Sequence, residues 1–523
     1  MKPTPEQRVV CESTAHVMKI KAGAGTGKTT TLRGLAARHP RSRMLYLAFN
    51  KAIKEEAAGK FGPHVHAMTA HGMAFGAIGR DYSNEPDKLL SGDLKPHHVL
   101  PVIQKGLAGI PAALHNLYAG RVIEAIKAFF VSADETAGPQ HLTVSMAAAE
   151  KKYFNPAQIL ADADVVLTSM ADLKGRVPIT HDGYLKLFAL EKPTLPCDFL
   201  LLDEAQDTNP VLQGLVAAQP CRRAYVGDEH QAIYAFRGAT NAMATLAADA
   251  EYALTGSFRF GPAIADIANS ILRAKGENRL QLQGLGPASQ VVSGGSVRPH
   301  QPHAYISRSN AMSFARAVEA VEGRQPFAFV GPLYSYRFDL IEQTYELSCH
   351  RQPRDPFLRA FDTFEQLQEY AEALNDREIL ARCKLVERYG SKLPGLLERI
   401  TQAAGTYPSR GAPGLVLTTA HRSKGLEFDT VKLADDFTDF KNEDGEWEDL
   451  TEASAQTIEE INLLYVAATR AKTTLETNDK LMEFIGQRLP AQLKLWEKKH
   501  AQRLAGELDA GLPAPAGGAR ARL

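Results

Sequence analysis

Residues 17–37 carry the feature that most restricts what this chain can fold into. A short apolar run, Val17-Met18-Lys19-Ile20, leads into Ala22-Gly23-Ala24-Gly25-Thr26-Gly27-Lys28-Thr29-Thr30, and a helical pattern begins near Lys28. Glycines let the backbone curl so that several N–H groups and a helix N-terminus face one point, which makes an anion site. In a loop of this wording the lysine reaches the β- and γ-phosphates of a nucleotide, and Thr29 ligates Mg²⁺. The strict pattern G-x-x-x-x-G-K-[ST] fails at its first glycine, where this chain has Ala22. The strand–loop–helix context argues against a chance glycine-rich turn.

The rest of the chain repeats the same texture. Met44-Leu45-Tyr46-Leu47-Ala48-Phe49 is nearly all apolar, as expected of a strand buried on both faces of a parallel sheet, and a helical stretch over 51–61 follows. Residues 80–192 read instead as helices, at 117–130 and 144–154. Phe199-Leu200-Leu201-Leu202 and Arg223-Ala224-Tyr225-Val226 then restore the buried-strand signature. A second set, Ala304-Tyr305-Ile306, Phe327-Ala328-Phe329-Val330, Leu415-Val416-Leu417 and Val431-Lys432-Leu433, is interrupted by a charged, helix-like block. The pattern predicts an α/β fold of two doubly wound parallel sheets, each with a mostly helical insertion. Residues 1–79 and 193–255 form the first core and 80–192 its insertion. Residues 256–332 and 408–485 form the second core and 333–407 a smaller insertion. Residues 486–523 are expected to be a terminal helix and a disordered tail.

Composition removes several classes. The 523 residues are 44% hydrophobic and 23% charged, with 40 Gly and 29 Pro, which is ordinary globular usage. Sixty basic residues balance sixty acidic ones, so any nucleic-acid site rests on local grooves rather than a global field. The five cysteines, Cys11, Cys197, Cys221, Cys349 and Cys383, form no C-x-x-C pair. Neither a disulfide framework nor a zinc ribbon is indicated, and a reduced compartment is expected. No apolar stretch approaches 18 residues, so a soluble, cytoplasmic protein with no membrane partner is expected.

Asp203-Glu204-Ala205-Gln206-Asp207 directly follows the strand Phe199–Leu202. A carboxylate at a strand's C-terminal edge, near a phosphate loop, is placed to hold Mg²⁺ through Asp203. Glu204 is then the candidate general base for the attacking water. Tyr234, Phe236 and Arg237 form an aromatic–cation cluster on which bases stack, or alternatively a hydrophobic staple under a loop. His64, His66 and His71 lack a cysteine or acidic partner at ligand spacing, so loop or DNA-contact roles fit better than a metal site. His181 and Asp182 make a weak dyad without a nucleophile motif.

Together these motifs resemble superfamily 1 helicases of the UvrD/Rep type, in family order along nearly the whole chain. Alanine at position 22 is common in that family's first motif. Gln7 in Thr4-Pro5-Glu6-Gln7 is similar to its adenine-reading motif. Phe49-Asn50-Lys51-Ala52 and Thr69-Ala70-His71-Gly72 resemble segments that contact single-stranded DNA. Residues 226–238, with Gln231 as γ-phosphate sensor, resemble motif III. Ser257-Phe258-Arg259, the segment from Thr419 through His421 and Glu427 to Phe428, and the helix ending in Arg470 resemble three later motifs. By this resemblance Phe258 stacks on adenine, Glu427 belongs to the nucleotide site, and Arg259 and Arg470 stabilise the transferring phosphoryl group, as arginine fingers do. Read alone, the two arginines fit surface salt bridges better than a catalytic role, and Arg470 at a helix end also suits the helix dipole. Ile179-Thr180-His181-Asp182-Gly183-Tyr184 and Glu459-Glu460-Ile461-Asn462-Leu463-Leu464-Tyr465 resemble the F-box DNA helicase branch, of which only the helicase portion is expected here.

The resemblance implies two RecA-like domains using ATP and Mg²⁺ to move 3′-to-5′ on single-stranded DNA and open duplex at single-strand/duplex junctions. The pathway stays open among DNA repair, recombination, plasmid or phage biology and defence, with work expected on the nucleoid or, in a eukaryote, in the nucleus. Two alternatives stand beside it: a translocase that strips bound proteins with little unwinding, and an ATP-gated DNA-binding switch subunit.

Overall fold

The computed structural model describes residues 2–48, 50–142, 148–234, 241–373, 376–408, 414–442 and 445–509. The chain divides into two compact units, one of residues 1–22 and 27–254, the other of residues 23–26 and 255–523. The sequence expectations at Phe49, Phe236 and Arg237, and the tail beyond 509, lie outside the described residues.

The first unit is built on a six-stranded sheet of β1 (Val17–Ala22), β2 (Met44–Ala48), β3 (Val65–Thr69), β4 (Phe199–Leu202), β5 (Arg222–Gly227) and β6 (Ala250–Leu254), in the order β3-β2-β4-β5-β1-β6. Every pairing is parallel. The period-2 alternation of a strand explains its two-sided burial. Met44, Tyr46, Phe199 and Leu201 join one apolar cluster, with Leu32 and Leu35 of helix Lys28–Ala37. Leu45, Leu47, Leu200 and Leu202 join another, with Tyr184, Leu185 and Phe188 of helix His181–Leu190. Residues 94–177 carry a third core of their own, built by helices His115–Val131 and Pro156–Ala171 around Val122, Ile126, Phe129, Ala163 and Val166. Within the expected helix over 144–154, Ala148–Tyr153 is helical and 143–147 are not described.

The second unit opens with a short parallel pair, β7 (Gly256–Ser257) and β8 (Gln283–Gly284). Its seven-stranded parallel sheet comprises β9 (Gln290–Val292), β10 (His303–Ser307), β11 (Phe327–Val330), β12 (Gly405–Tyr407), β13 (Leu415–Thr419), β14 (Phe428–Leu433) and β15 (Ala471–Glu476), ordered β12-β11-β13-β10-β14-β15-β9. Helices Phe338–Ser348, Arg377–Tyr389 and Leu393–Ala403, from the 333–407 block, share one core with Tyr305, Phe327, Phe329, Leu415 and Leu417 of the sheet. That block therefore packs as a layer on the sheet rather than around a separate centre.

Helix Ala455–Ala468 is capped by Ser454, whose hydroxyl accepts the Thr457 N–H at 3.0 Å, and is buried almost continuously from Glu460 to Ala468. Its one charged buried residue, Glu460, receives the Arg308 guanidinium through Nε at 3.1 Å and Nη2 at 2.5 Å. Burial pulls against the Arg308 charge, but Glu460 outweighs it and holds that charge firmly. No described helix is long and apolar enough to cross a membrane.

Candidate nucleotide site

All strands of the first sheet run the same way, so the segments following β1, β4 and β5 emerge at one edge, and β4-β5-β1 are neighbours. The loop after β1 turns through two left-handed glycines, Gly25 (φ +74°) and Gly27 (φ +79°). Gly27 is the N-cap of helix Lys28–Ala37 in a conformation that a side chain there would strain. Thr26 closes the loop, its hydroxyl donating to the Gly23 carbonyl at 2.9 Å.

Lys28, first in the helix, places Nζ 3.2 Å from Glu204 Oε2. Thr29 donates its hydroxyl to Asp203 Oδ2 at 3.1 Å. The same carboxylate oxygen receives the Tyr46 hydroxyl at 2.6 Å, from β2 on the other side of β4. The alternation that puts Tyr46, Phe199 and Leu201 on one face carries Asp203 to that face too. Glu204 itself stands in the left-handed region (φ +52°), a conformation uncommon outside glycine that re-aims its side chain next to Lys28.

Burial, then the neighbouring Glu204 charge, push the Asp203 carboxyl above its usual range, while Lys28 pulls the other way. Burial would lower the Lys28 ammonium, but the carboxylates of Glu204, Asp228 and Asp203 outweigh it and hold Lys28 above its ordinary value. The lysine is therefore a fixed cation. The Tyr46 phenol is held far above its normal range by burial and Asp203, so it acts as a donor only.

A line of hydrogen bonds joins this cluster to the segment after β5. Gln206, fully buried, donates through Nε2 to Glu204 Oε2 at 2.7 Å and accepts the Asp228 N–H at 3.0 Å. Asp228 Oδ2 in turn accepts from Gln231 Nε2 at 2.7 Å. Gly227 leaves the space this requires, since a Cβ there would lie 2.5 Å from Gln206 Oε1. Lys28, Thr29, Asp203, Glu204 and Gln231 are the residues the motifs point to; Tyr46, Gln206 and Asp228 join them only in the structure. Tyr46 was hidden in a strand that reads as core. Gln206 and Asp228 are polar residues lying shortly after apolar strands, a signal present in the sequence, but their full burial emerges only in the structure.

The remaining candidates fall into separate groups. Gln7 and Thr4 make a reciprocal capping box at helix Pro5–Glu12, the Thr4 N–H donating to Gln7 Oε1 at 3.0 Å. In the second unit, Arg259 Nε donates to Glu427 Oε1 at 2.8 Å and Arg259 Nη1 to the Thr469 carbonyl at 3.0 Å. Burial raises and Arg259 lowers the Glu427 carboxyl, which ends below its ordinary value. Arg470 is only 1% exposed; its Nε caps the Val466 carbonyl of the preceding helix at 2.9 Å, and Nη1 reaches the Leu426 carbonyl at 3.3 Å. The dipole-capping geometry is thus present, alongside the proximity of Arg259, Glu427 and Arg470 through Thr469 and Leu426.

Among the expected DNA contacts, Asn50 and Thr69 are helix N-caps, bonded to the Ile53 and Gly72 N–H groups. His71 Nε2 lies 2.9 Å from Asp182 Oδ1. Asp182 therefore partners His71, whereas His181 bonds through Nδ1 to the Tyr184 hydroxyl at 2.9 Å. His64 bonds the Ala36 carbonyl at 3.0 Å, so the three histidines gather around no common point. His421 lies in helix Ala420–Ser423, directly after β13, and Tyr234 is half-buried after β5.

A phosphate-type loop between parallel strand and helix, with Lys-Thr facing a carboxylate pair just after a nearby strand, defines a P-loop nucleoside triphosphatase. Residues 6–237 match a family described as an AAA domain, and residues 349–477 match the UvrD-like helicase C-terminal domain. The chain is 33% identical over 497 residues to F-box DNA helicase 1 of Gallus gallus, covering 89% of this chain and 48% of that protein. It is 32% identical over 515 residues to F-box DNA helicase protein 1 of Schizosaccharomyces pombe, covering 91% and 57%. The chain thus spans about half the length of these relatives. It belongs to the UvrD-like superfamily 1 helicases, a membership that implies two RecA-like lobes.

Proposed function

We propose that the chain is an ATP-dependent DNA helicase that moves 3′-to-5′ on single-stranded DNA and opens duplex at single-strand/duplex junctions. The observation that carries this reading is the continuous line Lys28–Glu204–Gln206–Asp228–Gln231, with Asp203 and Thr29 alongside. It couples the phosphate-facing cation, the base and the proposed γ-phosphate sensor, and the sensor lies three residues before Tyr234. A shift at the phosphates is thereby passed toward a segment suited to base contact. Residues 22–30 cradle the triphosphate and Gln7 takes the base; in the second unit Phe258 and Glu427 are proposed for nucleotide binding, and Arg259 and Arg470 for steadying charge on the transferring group. Thr29 and Asp203 present adjacent hard oxygens, a set that fits Mg²⁺, whose bound charge would neutralise the β- and γ-phosphates. Glu204 holds and orients the attacking water and takes its proton. Asn50, Thr69, His71 and His421 are proposed to contact DNA, mainly through phosphates and stacked bases, a role proposed also for Phe49, Phe236 and Arg237.

Strand displacement on tailed duplexes tests this reading. A 3′-tailed duplex is expected to be unwound with ATP and a 5′-tailed one left largely intact. Preference for the 5′ tail would contradict the polarity. Removal of a bound protein without strand separation would favour the stripping translocase, and DNA binding gated by ATP without turnover would favour the switch.

A further inference from the structure

Cys221 stands immediately before β5 and Cys197 two residues before the start of β4, at the strand ends opposite those that lead to Asp228 and Asp203. They are 24 residues apart in sequence, yet the parallel register Phe199↔Arg222 brings them together, with sulfurs 3.6 Å apart and an S–H of one directed at the other. Both are half-buried, and both lie in irregular backbone just outside the ladder. Closing the gap to a covalent S–S distance of about 2 Å therefore needs a small loop movement and no change of strand register. The hydrogen bond from Cys197 holds the Cys221 thiol down at about 7 against burial, helped by the Arg223 charge. The same contact and burial push Cys197 up. The two sulfurs share one proton that stays and one that leaves readily, which gives a nucleophilic thiolate with a second sulfur beside it.

We propose that Cys197 and Cys221 are an oxidisable dithiol that hydrogen peroxide closes to an intramolecular disulfide tying the starts of β4 and β5. The Cys221 thiolate attacks one peroxide oxygen; the O–O bond breaks, Cys221 becomes a sulfenic acid, and the departing hydroxide takes up a proton as water. The Cys197 sulfur then attacks the Cys221 sulfur; the S–S bond forms, the S–O bond breaks, and the Cys197 proton leaves with the hydroxyl as a second water. Two thiols and one peroxide give one disulfide and two waters, with two electrons passing from sulfur to oxygen.

The test is peptide mapping of the full chain after limited hydrogen peroxide treatment and alkylation without reductant, with the exposed Cys349 reporting that oxidant was present. The expected result is a peptide linking Cys197 to Cys221, lost on reduction with dithiothreitol. Cys221→Ser should abolish the link, and Cys197→Ser should leave a dimedone-reactive sulfenic acid at Cys221. Oxidation of Cys349 while both Cys197 and Cys221 stay as thiols would overturn the proposal. So would over-oxidation of Cys221 in the unsubstituted chain without any linked peptide, a readout that does not depend on either variant folding.

Discussion

Glu204→Gln is expected to slow ATP hydrolysis by about 10²- to 10⁴-fold, the contribution typical of a positioned general base, with nucleotide still bound. The replacement is nearly isosteric. It keeps an oxygen to accept the Gln206 amide and leaves Lys28 facing the Asp203 and Asp228 carboxylates. Lys28→Ala should behave differently, weakening binding as well as turnover, because a fixed cation is removed from the phosphates. Single-turnover hydrolysis alongside equilibrium titration with a fluorescent nucleotide separates the two. Turnover near the unsubstituted rate in Glu204→Gln would remove Glu204 from the chemistry.

Glu460→Ala should lower the stability of the second unit by about 3 kcal/mol, because it leaves the half-buried Arg308 guanidinium without the carboxylate it donates to. In thermal unfolding that corresponds to a fall of roughly 10 °C in Tm for a unit of this size. The paired substitution Arg308→Met with Glu460→Leu should recover most of the loss, since a matched apolar pair removes the uncompensated charge. A loss below about 1 kcal/mol in the single variant would place the pair among weak surface bridges.

How far sequence reading reached is set by what each residue's neighbours are. Strands β2 and β4 were legible because Met44–Ala48 and Phe199–Leu202 are buried on both faces and must be apolar throughout. Strand β3 was not, because Val-His-Ala-Met-Thr lies at the sheet edge and is only partly buried. Strand β15 reads Ala-Lys-Thr-Thr-Leu-Glu, and its polar residues are satisfied by partners remote in sequence, such as Glu476 with Lys432 at 2.7 Å.

The same distinction divides the nucleotide site. Lys28, Thr29, Asp203 and Glu204 announce themselves through local spacing, since loop and acidic pair each follow a strand. Tyr46 could not, because its role depends on β2 lying beside β4, a pairing that no local pattern displays. Arg470 follows the helix Ala455–Ala468 and its C-cap Thr469, and its burial and its bonds to Val466 and Leu426 arise from packing alone.

The measurement that most directly tests the account is the steady-state ATPase rate with and without single-stranded DNA, in the unsubstituted chain and in Glu204→Gln. The account predicts slow hydrolysis without DNA, strong stimulation by single strands, and loss of the stimulated rate in the variant. Hydrolysis indifferent to single-stranded DNA, or stimulation surviving intact in Glu204→Gln, would contradict it.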